Sequence, residues 1–335
     1  MQVKHYTIPI FIPELACPFQ CVFCNQRKIT GRELIPGDGE IIQSVEEHLL
    51  SFKEKEQIVE IGFFGGSFTG IPVAQQKHYL ELVQPFLDSG QVSGIRLSTR
   101  PDYIDDGILE LLKKYKVSTI ELGAQSLDIE VLEASFRGHT VQQVEEASRK
   151  IIDHGFELGL QMMIGLPGDT FEKSVHTAYR IIELGASNTR IYPTVVIKGT
   201  ALEQWYKTGK FKPLTLDEAV NWTKQILPIF EQAGIKVLRV GLHPSEGLLS
   251  GEELVAGPFH QSFKELVLTE IWGDLLKPLL VDQKGESIEL VVPEKEINYA
   301  IGYRGKNKKM LLEKFNSIKF VADAAIAQGR SFQYS

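Results

Sequence analysis

The chain has 335 residues, of which 43% are hydrophobic and 24% are charged, and its net charge is −7 at pH 7. This length and composition are typical of one large globular core with a small appended unit. The net charge argues against nucleic-acid binding through the whole surface, and no apolar run approaches the roughly 20 residues that cross a membrane. Because no signal-peptide pattern is found at Met1, we expect a cytoplasmic protein.

Short β-rich runs alternate with amphipathic helical runs along most of the chain. The pattern predicts strands at 6–12, 59–64, 94–98, 119–122, 157–164 and 189–193, with a further candidate at 236–240. Helices are predicted between them at 41–53, 75–88, 104–115, 141–153 and 171–184. Repeated βα units build a parallel sheet, either open or curled into a full or partial barrel, whose ligand site lies at the carboxyl ends of the strands.

Glycine-rich or polar groups follow nearly every predicted strand. They lie at 65–67, 98–102, 123–126, 165–168 and, after the sixth strand, at 192–193 and 198–200. Each group alone could be ordinary turn chemistry or a surface ion pair. Their shared position predicts one ligand that lies across the rim of the sheet.

The three cysteines of the sequence, Cys17, Cys21 and Cys24, lie in one eight-residue stretch after the first predicted strand. Three thiolates on one loop can bind three irons of a [4Fe–4S] cluster and leave the fourth iron open. A disulfide framework and a zinc site are the two alternatives. The odd number of cysteines disfavours the disulfide framework. Zinc would need a fourth ligand such as His5, and structural zinc sites usually use two separated pairs of ligands.

These motifs resemble the radical S-adenosylmethionine (SAM) superfamily. The cysteine spacing, with Phe23 before the last cysteine, resembles the cluster loop of that family, and residues 63–67 resemble its glycine motif. A closer resemblance is to the radical SAM domain of the Elongator catalytic subunit, carried in order by residues 99–103, 121–128, 137–140, 162–168 and 191–200. The resemblance covers about residues 6–233 and implies a partial (β/α)6 TIM-type barrel, which we expect to span residues 1–280.

The resemblance also implies the site. A [4Fe–4S] cluster held by Cys17, Cys21 and Cys24 would chelate SAM at its open iron, and an electron from a donor such as flavodoxin or ferredoxin would cleave the sulfonium. The residues implied to contact SAM are Phe23, Gly65, Gly66, Ser67, Ser98, Thr99, Arg100, Gln125, Arg137, Met163 and Gly165. Tyr192 and Lys198 are the candidates for substrate contact or catalysis.

The sequence also departs from the Elongator pattern. Elongator catalytic subunits have a longer gap between the first two cysteines, a zinc-binding segment and a following acetyltransferase domain, and this sequence shows none of them. Ser98 stands where those proteins have Glu. We therefore expect the fold and the radical initiation to be shared, without the acetyl-CoA-dependent carboxymethylation of uridine. The turn-rich segments 242–247 and 257–260, which contain His243 and His260, are expected to close the barrel mouth.

The last 55 residues, 281–335, are predicted to form a small α+β unit. A strand at 287–292, a short helix at 297–300, a helix at 308–315 and a strand at 318–321 surround a Gly-x-x-Gly loop at 302–305. This order resembles the KH domain, whose loop clamps about four nucleotides. Seven basic residues and two acidic ones between Lys295 and Lys319 make the segment basic. The predicted RNA contacts are Gly302, Arg304, Gly305, Lys306, Lys308 and Lys309.

Together these patterns predict a radical SAM enzyme that modifies an RNA nucleotide. Transfer RNA is favoured over ribosomal RNA only through the Elongator likeness, and no membrane partner is expected. Two alternatives remain open: a small-molecule enzyme of the oxygen-independent porphyrinogen type, and a non-catalytic iron–sulfur protein that binds RNA as a sensor.

Overall fold

The computed structural model describes residues 4–12, 21–25, 35–52, 57–282, 287–326 and 329–335. The strands of these residues are β1 (Lys4–Phe11), β2 (Gln57–Phe64), β3 (Gly94–Thr99), β4 (Val117–Gln125), β5 (Glu157–Ile164), β6 (Asn188–Pro193), β7 (Val196–Ile197), β8 (Lys236–Val240), β9 (Leu254–Ala256), β10 (Ser287–Pro293), β11 (Ser317–Asp323) and β12 (Gln333–Tyr334).

The α-helices of the described residues are α1 (Asp38–Ser51), α2 (Val73–Asp88), α3 (Asp106–Lys114), α4 (Ile129–Ala134), α5 (Val141–Asp153), α6 (Phe171–Glu183), α7 (Ala201–Lys207), α8 (Leu216–Gln232), α9 (Glu246–Leu249), α10 (Phe263–Leu276), α11 (Leu279–Asp282), α12 (Ile297–Ile301) and α13 (Lys306–Leu312). Short 3₁₀ turns lie at Phe68–Gly70, Pro101–Tyr103, Glu294–Glu296 and Tyr303–Gly305.

Seven parallel strands form the main sheet, in the order β1-β2-β3-β4-β5-β6-β8. The sheet curls into a partial TIM-type barrel, which is one of the forms that the βα repeat allows and the one that the family resemblance implies. The candidate strand at 236–240 is β8, so the sheet has one strand more than the six βα units of the predicted barrel. Because the strand order ends at β1 and β8, the barrel is open along its side.

Along the strands, side chains alternate between the hydrophobic core and the interior of the barrel. In β3, Ile95 and Leu97 are fully buried in the main hydrophobic cluster, whereas Arg96 and Ser98 line the interior cavity. A period of two is expected when one face of a strand packs on helices and the other faces a lumen. The helices that cover the outside begin at side-chain caps such as Asp105 and Thr140, which accept hydrogen bonds from backbone N–H groups of the first turn.

The C-terminal unit is a three-stranded sheet covered by α12 and α13. The central strand β10 pairs in parallel with β11 and antiparallel with β12. Its α+β class is as predicted, while β12 is a strand that the sequence pattern did not indicate. Its hydrophobic core contains Leu290, Leu311 and Phe315 together with Trp272 and Leu276 of α10. The division of the chain after residue 280 stays a prediction.

None of the helices in the described part of the chain combines the length and the apolar character needed to cross a membrane.

Candidate active site

A cavity of about 780 Å³ occupies the interior of the barrel and its carboxyl-end rim. Most of the sequence-predicted cofactor residues line it, from the carboxyl ends of several strands and the segments that follow them: Cys21, Phe23, Cys24, Gly65, Gly66, Ser67, Ser98, Thr99, Arg100, Gln125, Arg137 and Met163. The cysteine loop and four of the glycine-rich or polar groups predicted at the rim thus contribute to one cavity, whereas the groups at 165–168 and 198–200 do not line it. Cys17 lies outside the described residues.

The end of the cysteine loop is held by backbone contacts. Cys24 N–H donates to the carbonyl of Cys21 at 3.0 Å, which forms a tight turn, and Val22 N–H donates to the carbonyl of Ser135 at 3.2 Å. The N–H of Leu202 donates to the carbonyl of Val22 at 2.7 Å. Cys21 is buried and Cys24 is half-buried, and both face the cavity. The loop is thus anchored to the segments around α4 and α7.

Arg137 and Gln125 lie beside Cys21 and have hydrogen-bonding capacity left over. Arg137 donates from Nη1 to the Cys21 sulfur at 3.4 Å and from Nη2 to the carbonyl of Gly123 at 2.7 Å. Among the described residues, its Nε and the Oε1 of Gln125 are buried and have no hydrogen-bond partner. Buried polar atoms are normally satisfied, so an unmet donor and an unmet acceptor in one cavity indicate a polar ligand. The carboxylate and amino groups of SAM fit this pair.

Two glycines that line the cavity allow the chain to pack closely there. Gly65 has φ +101°, and a Cβ there would lie 3.0 Å from the backbone oxygen of Ile12. A Cβ at Gly123 would lie 2.9 Å from Arg137 Nη2 and 3.0 Å from Gln125 Nε2. Only glycine adopts such a conformation or allows so close an approach without strain.

The motif at the end of β3 lines the cavity and also holds the segments around it. Thr99 Oγ1 is 2.6 Å from Thr69 Oγ1, a buried hydrogen bond. Arg100 is 1% exposed and makes two hydrogen bonds to the Asp102 carboxylate, at 2.8 and 3.0 Å. It also donates to the backbone carbonyl of Arg137 at 2.9 Å. Arg100 therefore fixes the segment that carries Arg137.

Met163 lines the main cavity, whereas Gly165 borders a second cavity of about 470 Å³ on the other side of its loop. Gly165 N–H donates to Asp169 at 2.7 Å, and Ser174 Oγ donates to the same carboxylate at 2.8 Å. Burial raises the pKa of Asp169 to about 6 in spite of these bonds. Asp169 thus fixes the turn after β5.

The two candidates for substrate contact lie in different places. Tyr192 lines the cavity, and burial raises the pKa of its hydroxyl, so the phenol is neutral. Lys198 follows β7, is exposed, and is not among the lining residues, while its backbone N–H donates to the carbonyl of Glu253 at 3.0 Å. The structure groups Tyr192 with the cofactor residues and leaves Lys198 outside.

Sequence reasoning did not identify a charged network in the barrel interior. Glu121 accepts from Arg96 at 2.8 Å, from Arg190 at 2.6 and 3.0 Å and from Gln161 at 2.9 Å. Although burial opposes it, Arg190 and Arg96 hold the pKa of Glu121 below its ordinary value. The sequence signal for this network is one polar residue at an inward-facing position of each successive strand.

His5 does not complete a zinc site with the cysteines. Its Nε2 lies 2.9 Å from the carboxylate of Glu60 and its Nδ1 lies 3.2 Å from Lys236 Nζ, so both ring nitrogens have partners. Within the described ranges, no group of three His, Cys, Asp or Glu side chains could hold a metal ion. The third cysteine of the predicted cluster, Cys17, lies outside those ranges.

The Gly-x-x-Gly loop joins α12 to α13. Gly302 and Gly305 have φ of +86° and +72°, and Arg304 between them has φ +51°. The basic side chains predicted to contact RNA, Arg304, Lys306, Lys308 and Lys309, are all exposed. The loop is fastened to α10 because Thr269 Oγ1 accepts from Tyr303 N–H at 2.8 Å.

Comparison with known families gives two adjacent matches. Residues 12–179 match the Radical SAM superfamily, and residues 187–272 match the Radical_SAM C-terminal domain. The fold and the site define an α/β enzyme with a cysteine loop at the rim of an open parallel barrel. The first match spans half of the chain, and the chain belongs to the radical SAM superfamily.

Individual relatives are Elongator-like. The chain is 23% identical over 239 residues to the tRNA uridine(34) acetyltransferase of Dehalococcoides mccartyi, covering 62% of this chain and 52% of that protein. It is 29% identical over 203 residues to Elongator complex protein 3 of Schizosaccharomyces pombe, covering 55% and 37%. The Elp3 structure from Methanocaldococcus infernus superposes with a TM-score of 0.64 at 20% identity, covering 82% of this chain and 64% of that one. The chain spans about half the length of the curated relatives that it matches.

Proposed function

We propose that this enzyme uses a [4Fe–4S] cluster and SAM to modify a nucleotide of RNA, with transfer RNA as the substrate class. Cys17, Cys21 and Cys24 hold the cluster in this proposal, and an external reductant such as flavodoxin or ferredoxin supplies the electron. When bound, these cofactors would supply the one-electron reductive cleavage of SAM to methionine and a 5′-deoxyadenosyl radical. The chain contributes orientation and exclusion of water.

The observation that carries the SAM site is the unmet pair formed by Arg137 Nε and Gln125 Oε1, next to Cys21. A guanidinium matches a carboxylate through its planar fork, and Gln125 Oε1 can accept from an ammonium group. Gly65 lines the same space and packs closely on the backbone of Ile12, in a conformation that favours glycine. Tyr192 lies in the same cavity and is placed to contact the substrate.

Two features support RNA as the substrate. The relatives include proteins named as tRNA uridine(34) acetyltransferases. The exposed cations of the Gly-x-x-Gly loop, at the N-terminus of α13, suit a phosphodiester backbone. The loop is fixed to α10, which also packs on the barrel. RNA held at the loop is therefore held near the barrel.

The test uses anaerobically reconstituted, reduced protein with SAM, with and without bulk tRNA. We expect 5′-deoxyadenosine from the wild type, more of it with tRNA, and an altered nucleoside in digests of that tRNA by mass spectrometry. The variants Cys17→Ala, Cys21→Ala and Cys24→Ala should each lose iron and sulfide as well as SAM cleavage. If SAM is cleaved but tRNA neither binds nor changes turnover, the RNA assignment is wrong. If the intact protein carries zinc, the radical assignment is wrong as well.

A further inference from the structure

The main cavity has a second half that the SAM residues do not use. It lies along the edge strands β1 and β8 and is lined by Phe11 from one and by Lys236 and Arg239 from the other. These strands end the strand order and do not pair with each other. Side chains span the gap instead: His5 meets Lys236 at 3.2 Å, and the rings of Phe11 and His243 have centroids 6.2 Å apart.

The charge of this half is positive. No Asp or Glu is among the described residues that line the cavity, and four cations lie in its second half beyond the buried arginines: Lys4, Lys236, Arg239 and Lys295. The acids behind the wall, Glu60 and Glu121, are already bonded to Arg96 and Arg190. An anion is therefore the ligand that this half favours.

Arg239 stands out among these cations. Within the described part of the chain, its guanidinium has no hydrogen bond or ion pair, and the side chain is half-buried in the cavity wall. It lies close enough to His243 and Tyr192 to influence both electrostatically. A partly desolvated guanidinium without a carboxylate is suited to a bidentate oxyanion such as a phosphate.

Aromatic rings lie next to these cations. Phe11 and Phe64 have ring centroids 6.3 Å apart, and His243 continues the row beside Phe11. All three line the cavity. Stacking on an aromatic face is a common way to hold an unpaired base and works for any base. Cations next to aromatic rings suit a nucleotide, which carries both a phosphate and a base, better than they suit a simple organic acid.

Lys295 connects this half of the cavity with the C-terminal unit. It lines the cavity, stands two residues before α12, and is followed by the Gly-x-x-Gly loop directly after that helix. A five-residue helix is about 7.5 Å long. RNA held at the loop thus lies within about one or two nucleotides of the side opening of the barrel.

We propose that Arg239, assisted by Lys236 and Lys295, binds a backbone phosphate of the RNA nucleotide that enters between β1 and β8, while Phe11 and His243 hold its base. The proposal deepens the proposed function and rests on it. It assigns the phosphate contact to the barrel itself, separate from the contacts made by the Gly-x-x-Gly loop.

The test measures binding of tRNA and of a short oligouridylate by the cluster-loaded protein over a series of salt concentrations. Arg239→Gln should weaken RNA binding about tenfold at low salt and make the slope of log Kd against log salt shallower by about 0.7–0.9, as one lost phosphate contact predicts. Arg239→Lys should keep the slope. SAM binding should be unchanged in both variants, which shows that the cavity is intact.

Arg149→Gln is the matched control, since Arg149 is an exposed arginine of α5. Arg304→Gln reports on the Gly-x-x-Gly loop separately. If Arg304→Gln weakens RNA binding and Arg239→Gln does so no more than the control, the phosphate site is wrong and the RNA assignment stands. If the wild type binds no RNA, both the phosphate site and the RNA assignment are wrong. If uridine monophosphate competes as well as the oligouridylate does, the site serves a free nucleotide and the RNA contact is wrong.

Discussion

Arg137 donates a hydrogen bond to the sulfur of Cys21 at 3.4 Å, while its Nε has no hydrogen-bond partner within the described part of the chain. One guanidinium therefore lies between a predicted cluster ligand and the space assigned to SAM. Its orientation is set by the carbonyl of Gly123, which accepts from Nη2 at 2.7 Å, and by Arg100, which holds its backbone. In the proposed function, Arg137 can thus affect both SAM affinity and the reduction potential of the proposed cluster.

Replacing Arg137 by Gln should weaken SAM binding and lower the potential together. A charge-assisted hydrogen bond contributes about 1.5–3 kcal/mol, so SAM affinity should fall roughly ten- to hundredfold. Removal of a positive charge beside a cluster thiolate disfavours the added electron, and the midpoint potential should become more negative. Equilibrium binding and an anaerobic redox titration measure the two effects. Arg149→Gln should change neither, and an unaltered potential in Arg137→Gln would show that the contact with Cys21 is electrostatically unimportant.

Replacing Glu121 by Gln should destabilise the fold strongly. The carboxylate is 1% exposed and compensates Arg96 and Arg190, which are also largely buried. Breaking a buried ion pair by removing one partner costs about 3–5 kcal/mol because the other charge stays buried. Chemical denaturation measures the loss, and Glu157→Gln, at the exposed start of β5, is the control.

The same variant has a defined pH dependence. The pKa of Glu121 is lowered in the folded state, so its ionisation stabilises the protein above the ordinary glutamate pKa of about 4.3 and that contribution is lost as the pH falls. The stability difference between wild type and Glu121→Gln should be largest at neutral pH and shrink in acid. A constant difference would contradict the ion-pair explanation.

Asp169 should have the opposite pH dependence. Burial raises its pKa from 3.8 to about 6, so the folded state is favoured at low pH and loses this contribution as the pH rises through about 6. Asp169→Asn cannot ionise. Relative to wild type, the variant should gain about 2–3 kcal/mol in unfolding free energy between about pH 4 and about pH 8. Denaturation curves at the two pH values test this, with Asp153→Asn on α5 as an exposed control.

The two glycines of the C-terminal loop should differ in their tolerance of alanine. Gly302 has φ +86° and ψ 154°, a glycine-only region, and a Cβ there would meet the backbone nitrogen of Asn307 at 2.9 Å. Gly305 is in the ordinary left-handed region with open space around it. Gly302→Ala should therefore lose several kcal/mol or unfold the C-terminal unit, whereas Gly305→Ala should lose about 1 kcal/mol.

Thermal unfolding and RNA binding distinguish these two variants. Gly302→Ala should lose both stability and RNA affinity, because the loop geometry depends on that residue. Gly305→Ala should remain folded. Equal stability losses in the two variants would mean that the close approach between Gly302 and Asn307 is not required.

The barrel could be predicted from periodicity because each strand and helix carries its own local pattern. Every predicted strand overlaps an observed one, including the candidate that became β8, and the bounds differ by at most three residues. The two-residue strand β12 could not be predicted, since so short a segment has no period and forms only by pairing with β10. Local pattern determines the long elements, and tertiary contact determines the short ones.

The candidate site was predictable where residue type is unusual and unpredictable where it is common. Cys21, Gly65 and Arg137 were identified through motifs and meet in one cavity. Lys198 belongs to a motif as well, but it is exposed and does not line that cavity. Arg239 belongs to no motif. Its place in the cavity wall follows from its position on β8, the edge strand of the sheet.

Helix α10 belongs to two hydrophobic cores at once. Phe263 and Val267 at its start are buried in the barrel core, and Trp272 and Leu276 at its end are buried in the core of the C-terminal unit. Unfolding of either core would therefore expose apolar surface of the other. The enzyme should consequently melt in one cooperative transition, and a truncation that removes the C-terminal unit should leave a barrel prone to aggregation rather than an independent catalytic fragment.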